Sequence, residues 1–450
     1  MISPGKKSRL KPAKTLVTGF LLLILTGSLL LSLPMAARSG EGTSFLDALF
    51  TATSAVCVTG LTVLDTGTHW SLFGQGVVLF LIQVGGLGFM TFGILFAILL
   101  GRKIGLRSRL LLQQSLSEFT LQGVVKLALR ILGLTILVEL VFTLLLAIRF
   151  IPWMGPARGL WFSVFHVVSA FNNAGFDIFG SVHGPFSSLS AFTDDPLVLL
   201  SLASLFIMGG LGFTVVIDMI RKRDLRHLVL HTKLVLFTTA FLIVAGTLLV
   251  FLLERNNPQT LGGMPLSIGI LNAFFHAVTP RTAGFSALNM STMTGSTQLV
   301  IIILMFIGGS PGSTAGGIKT TTFATLVQGV RVAISGRKDV VMFHRKIPES
   351  QVSKVLLILM LAICLVFLST FLLTITEQAE FLALFFEVVS AFGTVGLSMG
   401  ITTELSTVGR LILVATMFLG RLGPATVAFA LARERTRSDI GYPEEKIILG

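Results

Sequence analysis

Apolar residues fill this chain in long runs that short polar stretches interrupt. A helix needs about 20 consecutive apolar residues to cross a bilayer, and runs of that order recur throughout. They cover residues 16–33, 75–100, 124–148, 196–220, 234–253, 299–330 with an interruption, 352–375 and 408–431, which predicts about eight spans. In lipid every backbone polar group must be satisfied internally, so the spans are expected to be helices. Four further apolar segments, 45–57, 161–171, 267–278 and 381–392, are too short to cross.

Each short segment runs into a shared phrase: LFTATSAVCVTGL, VFHVVSAFNNAGF, AFFHAVTPRTAGF and LFFEVVSAFGTVGL. Their glycines, Gly60, Gly175, Gly284 and Gly396, fall at intervals of 115, 109 and 112 residues. This periodicity predicts four units of span, short helix, extended return and span, at 1–109, 110–226, 227–346 and 347–450. One such segment alone reads equally well as an interfacial helix or an outer loop. Four copies ending on the same Gly-Leu/Phe step favour re-entrant loops, which are tolerated where protein buries them or water lines them.

The residues leading into each glycine include no carboxylate. They are Val56, Cys57, Val58, Thr59 and Gly60; Asn172, Asn173, Ala174 and Gly175; Arg281, Thr282, Ala283 and Gly284; and Gly393, Thr394, Val395 and Gly396. Any cation held there would be held by main-chain carbonyls replacing its water shell. Four short helices would also aim their partially negative C-terminal ends at the same point. The chemistry suits a monovalent cation, and spacing alone does not choose potassium over sodium.

Composition supports the membrane reading. The chain is 53% hydrophobic and 12% charged, with a mean hydropathy of +0.89, which excludes an ordinary soluble domain. The net charge of +13 is gathered in five places. These are Lys6, Lys7, Arg9, Lys11 and Lys14; Arg102, Lys103, Arg107 and Arg109; Arg221, Lys222, Arg223, Arg226 and Lys233; Arg331, Arg337, Lys338, Arg345 and Lys346; and Arg433, Arg435 and Arg437. Two spans separate each cluster from the next, so the positive-inside rule puts all five, and both termini, in the cytoplasm. Charge distributed by topology rather than on one face argues against nucleic acid as a partner. The basic, apolar N-terminus is expected to be the first span rather than a cleaved signal. Cys57 and Cys364 are the only cysteines and are expected to be unpaired. With no nucleophile–base set, metal cluster or dinucleotide fingerprint, an enzyme is not expected.

The sixth span is interrupted by Gly308, Gly309, Ser310, Pro311, Gly312, Ser313, Thr314, Ala315, Gly316 and Gly317, with Lys319 following. Glycine and proline at this density break a helix. A phosphate loop is a poor match, because one residue too many precedes Lys319 and no strand leads in. A packing kink and a flexible gate both remain. Arg421 lies within the last span, where a charge normally faces a cavity or a partner. Glu139 is expected to be protonated or paired between helices. His166, His276 and Glu387, on the short segments, are expected to brace the loops by hydrogen bonding, and Asn172 and Asn173 to brace rather than coordinate through their side chains. Asp65, Asp177, Asp194 and Asp195 are expected to be solvated acids on the outer loops.

The loops AVCVTGL, AFNNAGF, VTPRTAGF and AFGTVGL, with the following stretches QVGGLGFM, IMGGLGF, FIGGSPGSTAGGIKTT and FLGRLGPATVAFA, resemble the membrane subunit of Ktr-type potassium uptake systems in the Trk/Ktr/HKT superfamily. The resemblance covers nearly the whole chain. It implies an all-α, multi-pass cell-membrane protein with four span–loop–span pseudo-repeats around a central pore. It implies K+ as the substrate ion at the loop carbonyls, with Na+ as a coupling or activating ion. It further implies a gate at 308–317 with Arg421 as an electrostatic barrier, which Lys319 either shares or merely borders. Its partners would be a second copy, membrane lipid, and a cytosolic ring of Rossmann-like regulatory subunits that bind ATP, ADP or NAD. No organic cofactor would be bound in this chain. The full TVGYG filter of potassium channels is absent. In related plant proteins a serine in the first loop goes with sodium transport, so Gly60 favours potassium. An alternating-access transporter of another small solute and a sodium-selective HKT-like transporter are the alternatives.

Overall fold

The computed structural model describes residues 12–88, 110, 113, 124–222, 224–337, 339–423 and 426. Outside them lie residues 89–100 of the predicted second span, the end of the last, and the basic clusters around Arg102 and Arg433. The described residues are overwhelmingly helical, with one two-stranded hairpin, β1 (Val341–Met342) and β2 (Arg345–Lys346).

The helices follow one another in a recurring order. A long apolar helix opens each set: α1 (Pro12–Leu31), α4 (Val124–Met154), α8 (Leu230–Glu254) and α12 (Glu349–Thr376). A short buried helix follows: α2 (Phe45–Cys57), α5 (Pro156–Phe171), α9 (Leu266–Val278) and α13 (Phe381–Gly393). Then comes a helix of 12 to 16 residues: α3 (Leu72–Leu87), α6 (Pro196–Leu211), α10 (Gly295–Phe306) and α14 (Thr407–Leu422). After α6 comes α7 (Phe213–Lys222), and after α10 comes α11 (Thr320–Ile334).

Local chemistry sets these boundaries. Ser71, Asp195, Thr294 and Ser406 cap α3, α6, α10 and α14, each accepting a bond from a first-turn amide. Gly155, at φ +81°, separates α4 from α5, and Pro156 occupies the first turn of α5, where its missing N–H costs nothing. This starts α5 five residues earlier than the apolar pattern predicts.

The larger departure lies in the closing helices. The sequence predicts continuous spans over 75–100, 196–220 and 408–431, with only the sixth span interrupted. Instead α3, α6 and α14 all stop at a glycine with positive φ: Gly88 (+81°), Gly212 (+92°) and Gly423 (+81°). At Gly212 the chain turns by 95° into α7. Apolar residues continue across each break, so hydropathy does not register it. Consequently four helices are long and apolar enough to cross a membrane among the described residues, or five if α6 and α7 count as one.

Candidate functional site

The four short helices converge, and each ends in the same backbone sequence. A residue with positive φ stands two positions before each repeat glycine: Val58 (58°), Asn173 (58°), Thr282 (80°) and Thr394 (51°). The glycines themselves lie at 90°, 70°, 80° and 95° for Gly60, Gly175, Gly284 and Gly396. Such φ values cost an ordinary residue roughly 1–2 kcal/mol. A left-handed residue at every second position turns successive carbonyls toward one side, which a regular strand would alternate.

The four glycines form a closed ring. A Cβ on Gly60 would lie 2.4 Å from the Ala174 carbonyl oxygen, and one on Gly175 would lie 3.0 Å from that of Ala283. On Gly284 it would lie 2.3 Å from that of Val395, and on Gly396 2.3 Å from that of Thr59. The residue preceding each glycine therefore sets its carbonyl against the next glycine, and the last unit returns to the first. At Gly60, Gly284 and Gly396 a side chain larger than hydrogen displaces the neighbouring carbonyl, and at Gly175 it is tightly crowded and strained by the positive φ.

Hydrogen bonds hold the loops from behind. Ser54 Oγ accepts from Gly60 N at 3.0 Å, and Ser390 Oγ accepts from Gly396 N at 3.1 Å. His166 Nε2 accepts from Ile178 N at 3.3 Å, and His276 Nε2 accepts from Leu288 N at 3.2 Å. At the corresponding place in α13, Glu387 accepts from the Thr402 hydroxyl. Asn172 turns away from the ring and donates to Gln83 Oε1 at 2.7 Å and to Glu139 Oε1 at 3.5 Å. The Asn173 amide lies 3.0 Å from the Thr282 hydroxyl. Arg281 directs its guanidinium back to α8, donating to Thr239 Oγ1 at 3.4 Å.

A cavity of about 550 Å³ opens on one side of the ring, lined by all four glycines with Asp65 and Asp177. Asp65 differs from its expectation as a solvated acid. It is buried and accepts from Thr68 N at 2.7 Å and Phe186 N at 2.8 Å, which ties two loops together. Asp195 likewise caps α6 and pairs with Arg149.

On the other side, residues 307–319 fold beneath the ring. Gly316 lies so close to Thr394 that a Cβ would sit 2.2 Å from its hydroxyl, and Gly308 and Gly317 pack against each other. Ser310 N donates to Gly210 O at 2.9 Å, Phe213 N donates to Gly312 O at 3.0 Å, and Thr320 N donates to Gly309 O at 3.1 Å. Pro311 O faces Gly212, and Ala315 O accepts from Lys319 Nζ at 2.6 Å. Arg421 bridges this loop to α3, donating to the Thr314 carbonyl and, at 2.6 Å, to Gly85 O. A second cavity of about 200 Å³ carries Lys319 and Arg421 on its wall, with Gly312, Ser313 and Leu16.

One feature escaped the sequence reading although its signal was present. Gly85, Gly209 and Gly420 seat against the carbonyls of Val56, Phe171 and Phe392, each 2.1 Å from an added Cβ. The paired residues in QVGGLG, IMGGLG, FIGGSPG and FLGRLG align Gly86, Gly210 and Gly309 with Arg421. The arginine thus stands where the other units keep a glycine.

Such a ring inside an apolar helical frame defines a membrane protein of the cation-transport class. The chain matches the family model described as TrkH, cation transport protein, over residues 12–438, and belongs to that family. It is 45% identical to the Ktr system potassium uptake protein B of Bacillus subtilis over 442 residues, 98% of this chain and 97% of that one. It is 40% identical to the potassium/sodium uptake protein NtpJ of Enterococcus hirae, covering 99% and 98% of the two chains. The crystal structure of the potassium transporter TrkH from Vibrio parahaemolyticus shares the fold, with a TM-score of 0.75 at 20% identity over 95% of this chain and 86% of that one.

Proposed function

We propose that the chain takes up potassium across the cell membrane through the glycine ring, as a transporter and not an enzyme. The closed ring carries the reading: four uncharged backbone loops meet side by side, each with a left-handed residue two positions before its glycine. Carbonyls so arranged can replace the hydration shell of one alkali cation. The filter then comprises residues 56–60, 172–175, 281–284 and 393–396 of four span–loop–span units, with both termini cytoplasmic. The names of the two relatives, potassium and potassium/sodium uptake proteins, favour K+ as cargo, with Na+ coupling or activating.

Residues 308–317 act as the gate in this reading, since they lie between the ring and the cavity that carries Lys319 and Arg421. The chain works as a homodimer with a cytosolic nucleotide-binding ring. The word "system" in the name of the first relative suits an assembly of several components.

The test is growth at low external K+ in cells lacking their own uptake systems, with and without added Na+. Rescue by the wild-type chain, abolished by Gly175→Ser, supports potassium uptake through the ring. Rescue that survives serine at each ring glycine in turn contradicts it.

A further inference from the structure

The hairpin β1–β2 has no part in the ring or the gate, yet the chain fixes it firmly. Val340, Met342 and Ile347 bury their side chains with Leu234 of α8 and Val332 of α11. Gln328 Nε2 donates to Val341 O at 3.1 Å, and Ile347 N donates to Val340 O at 2.8 Å. The two tip residues, Phe343 and His344, both take positive φ (47° and 63°), the twist that suits a two-residue hairpin. Holding a phenylalanine in that conformation is costly, and the ring it presents stays 47% exposed.

That ring does not face bulk water alone. Phe343 packs edge-on against Phe237, with centroids 6.3 Å apart. Phe237 begins a stripe along α8 that continues through Phe241, Val244, Leu248 and Leu252, all between 50% and 67% exposed. Those positions share one helix face. On a membrane-spanning helix, an apolar face left that open is covered by acyl chains. Phe237 stands seven residues from Leu230, the start of α8, or roughly 10 Å along the axis. The hairpin tip therefore meets the stripe near the N-terminal end of α8.

The hairpin's polar residues complement a headgroup–hydrocarbon boundary. Arg345 and Arg337 are exposed and, among the described residues, have no ion-pair partner, while Lys346 pairs with Asp339 at 2.5 Å. His344 is exposed beside them. We propose that β1–β2 is an interfacial anchor: Phe343 inserts among the acyl chains beside Phe237, while Arg345 and Arg337 hold the phosphates of anionic phospholipids. Aromatic residues favour this zone of the bilayer, and each basic residue near an anionic surface contributes about a fivefold preference. The anchor would fix the end of α11, the helix that directly follows the 307–319 loop.

The experiment introduces Phe343→Trp and compares its fluorescence with that of the parent chain, which carries the same three native tryptophans. The full chain is reconstituted in vesicles of phosphatidylcholine brominated either near the headgroup or near the bilayer centre, with and without phosphatidylglycerol. The expected result is blue-shifted emission from the added indole, quenched more by the shallow bromines. Arg345→Gln with Arg337→Gln should lower retention of phosphatidylglycerol on the purified protein by more than tenfold and leave phosphatidylcholine unaffected. Quenching by aqueous iodide but not by bromolipid would overturn the proposal, because the tip would then lie in water. Protection from both quenchers would also overturn it, placing the tip against a second copy or a cytosolic partner. Because growth at low K+ is read separately, loss of the anchor and loss of the uptake reading are distinguishable.

Discussion

At Gly60 two constraints coincide: a left-handed backbone at φ +90° and a neighbouring carbonyl 2.4 Å from any added Cβ. Only the second reaches across to another loop. Replacing Gly60 by Ser therefore does more than strain its own turn, since Ala174 O must move and the ring opens. The K+ over Na+ preference of uptake should fall about tenfold, the factor that 1.4 kcal/mol of lost discrimination gives. Gly184→Ser is the control, because Gly184 has positive φ (+99°) with nothing near its Cβ. It should cost about 1 kcal/mol of stability and leave the ion preference unchanged. Ser54→Ala removes the acceptor for Gly60 N, leaving a buried donor worth roughly 1–3 kcal/mol. The KM for K+ should rise, with little change in protein recovered from membranes. The glycines were legible in the sequence because they repeat. The residues two positions before them were not. Val58, Asn173, Thr282 and Thr394 are not of one residue type, and three of them are β-branched residues that run against their own preference in left-handed geometry. Tertiary closure of the ring imposes that conformation.

Among the elements, the short helices and the long opening helices were legible from apolar run length, and α2 matches its predicted bounds of 45–57 at both ends. The breaks at Gly88, Gly212 and Gly423 were not, since the hydrophobic pattern runs through them. Each break brings a helix end under the ring, and the 307–319 loop fills the space so formed. Arg421 fastens that loop to α3 through Thr314 and Gly85. Deleting residues 309–317 should raise the maximal rate of K+ uptake several-fold without altering the K+ over Na+ preference. Unchanged velocity in tracer flux would mean that the loop is a packing kink. Arg421→Gln should also raise the rate, since it removes a charge from the cavity and a tie from the loop. It should act less strongly than the deletion, because the loop backbone stays in place, held to Gly209 and Gly210 by its own hydrogen bonds.

At the scale of the whole molecule, a single chain must close a ring that four separate subunits would close by symmetry. The seam lies between the last set of helices and the first. Arg410, in α14, pairs with Asp47, in α2, at 2.5 Å, and both side chains are about one-fifth exposed. Gly396 meets Thr59 O across the same seam. Arg410→Ala should cost about 1 kcal/mol in a double-mutant cycle with Asp47→Ala, read as a lowered Tm in detergent. The same change should weaken K+ preference more than it lowers Tm would suggest, because the seam borders the ring.

The central claim is that the ring holds a dehydrated alkali cation. Anomalous scattering from crystals soaked in rubidium tests it most directly. The account predicts a peak on the axis between Gly60, Gly175, Gly284 and Gly396 that excess K+ displaces and Na+ does not. An empty ring with rubidium bound instead beside Asp65 and Asp177, or a ring peak that Na+ removes as readily as K+, would contradict it.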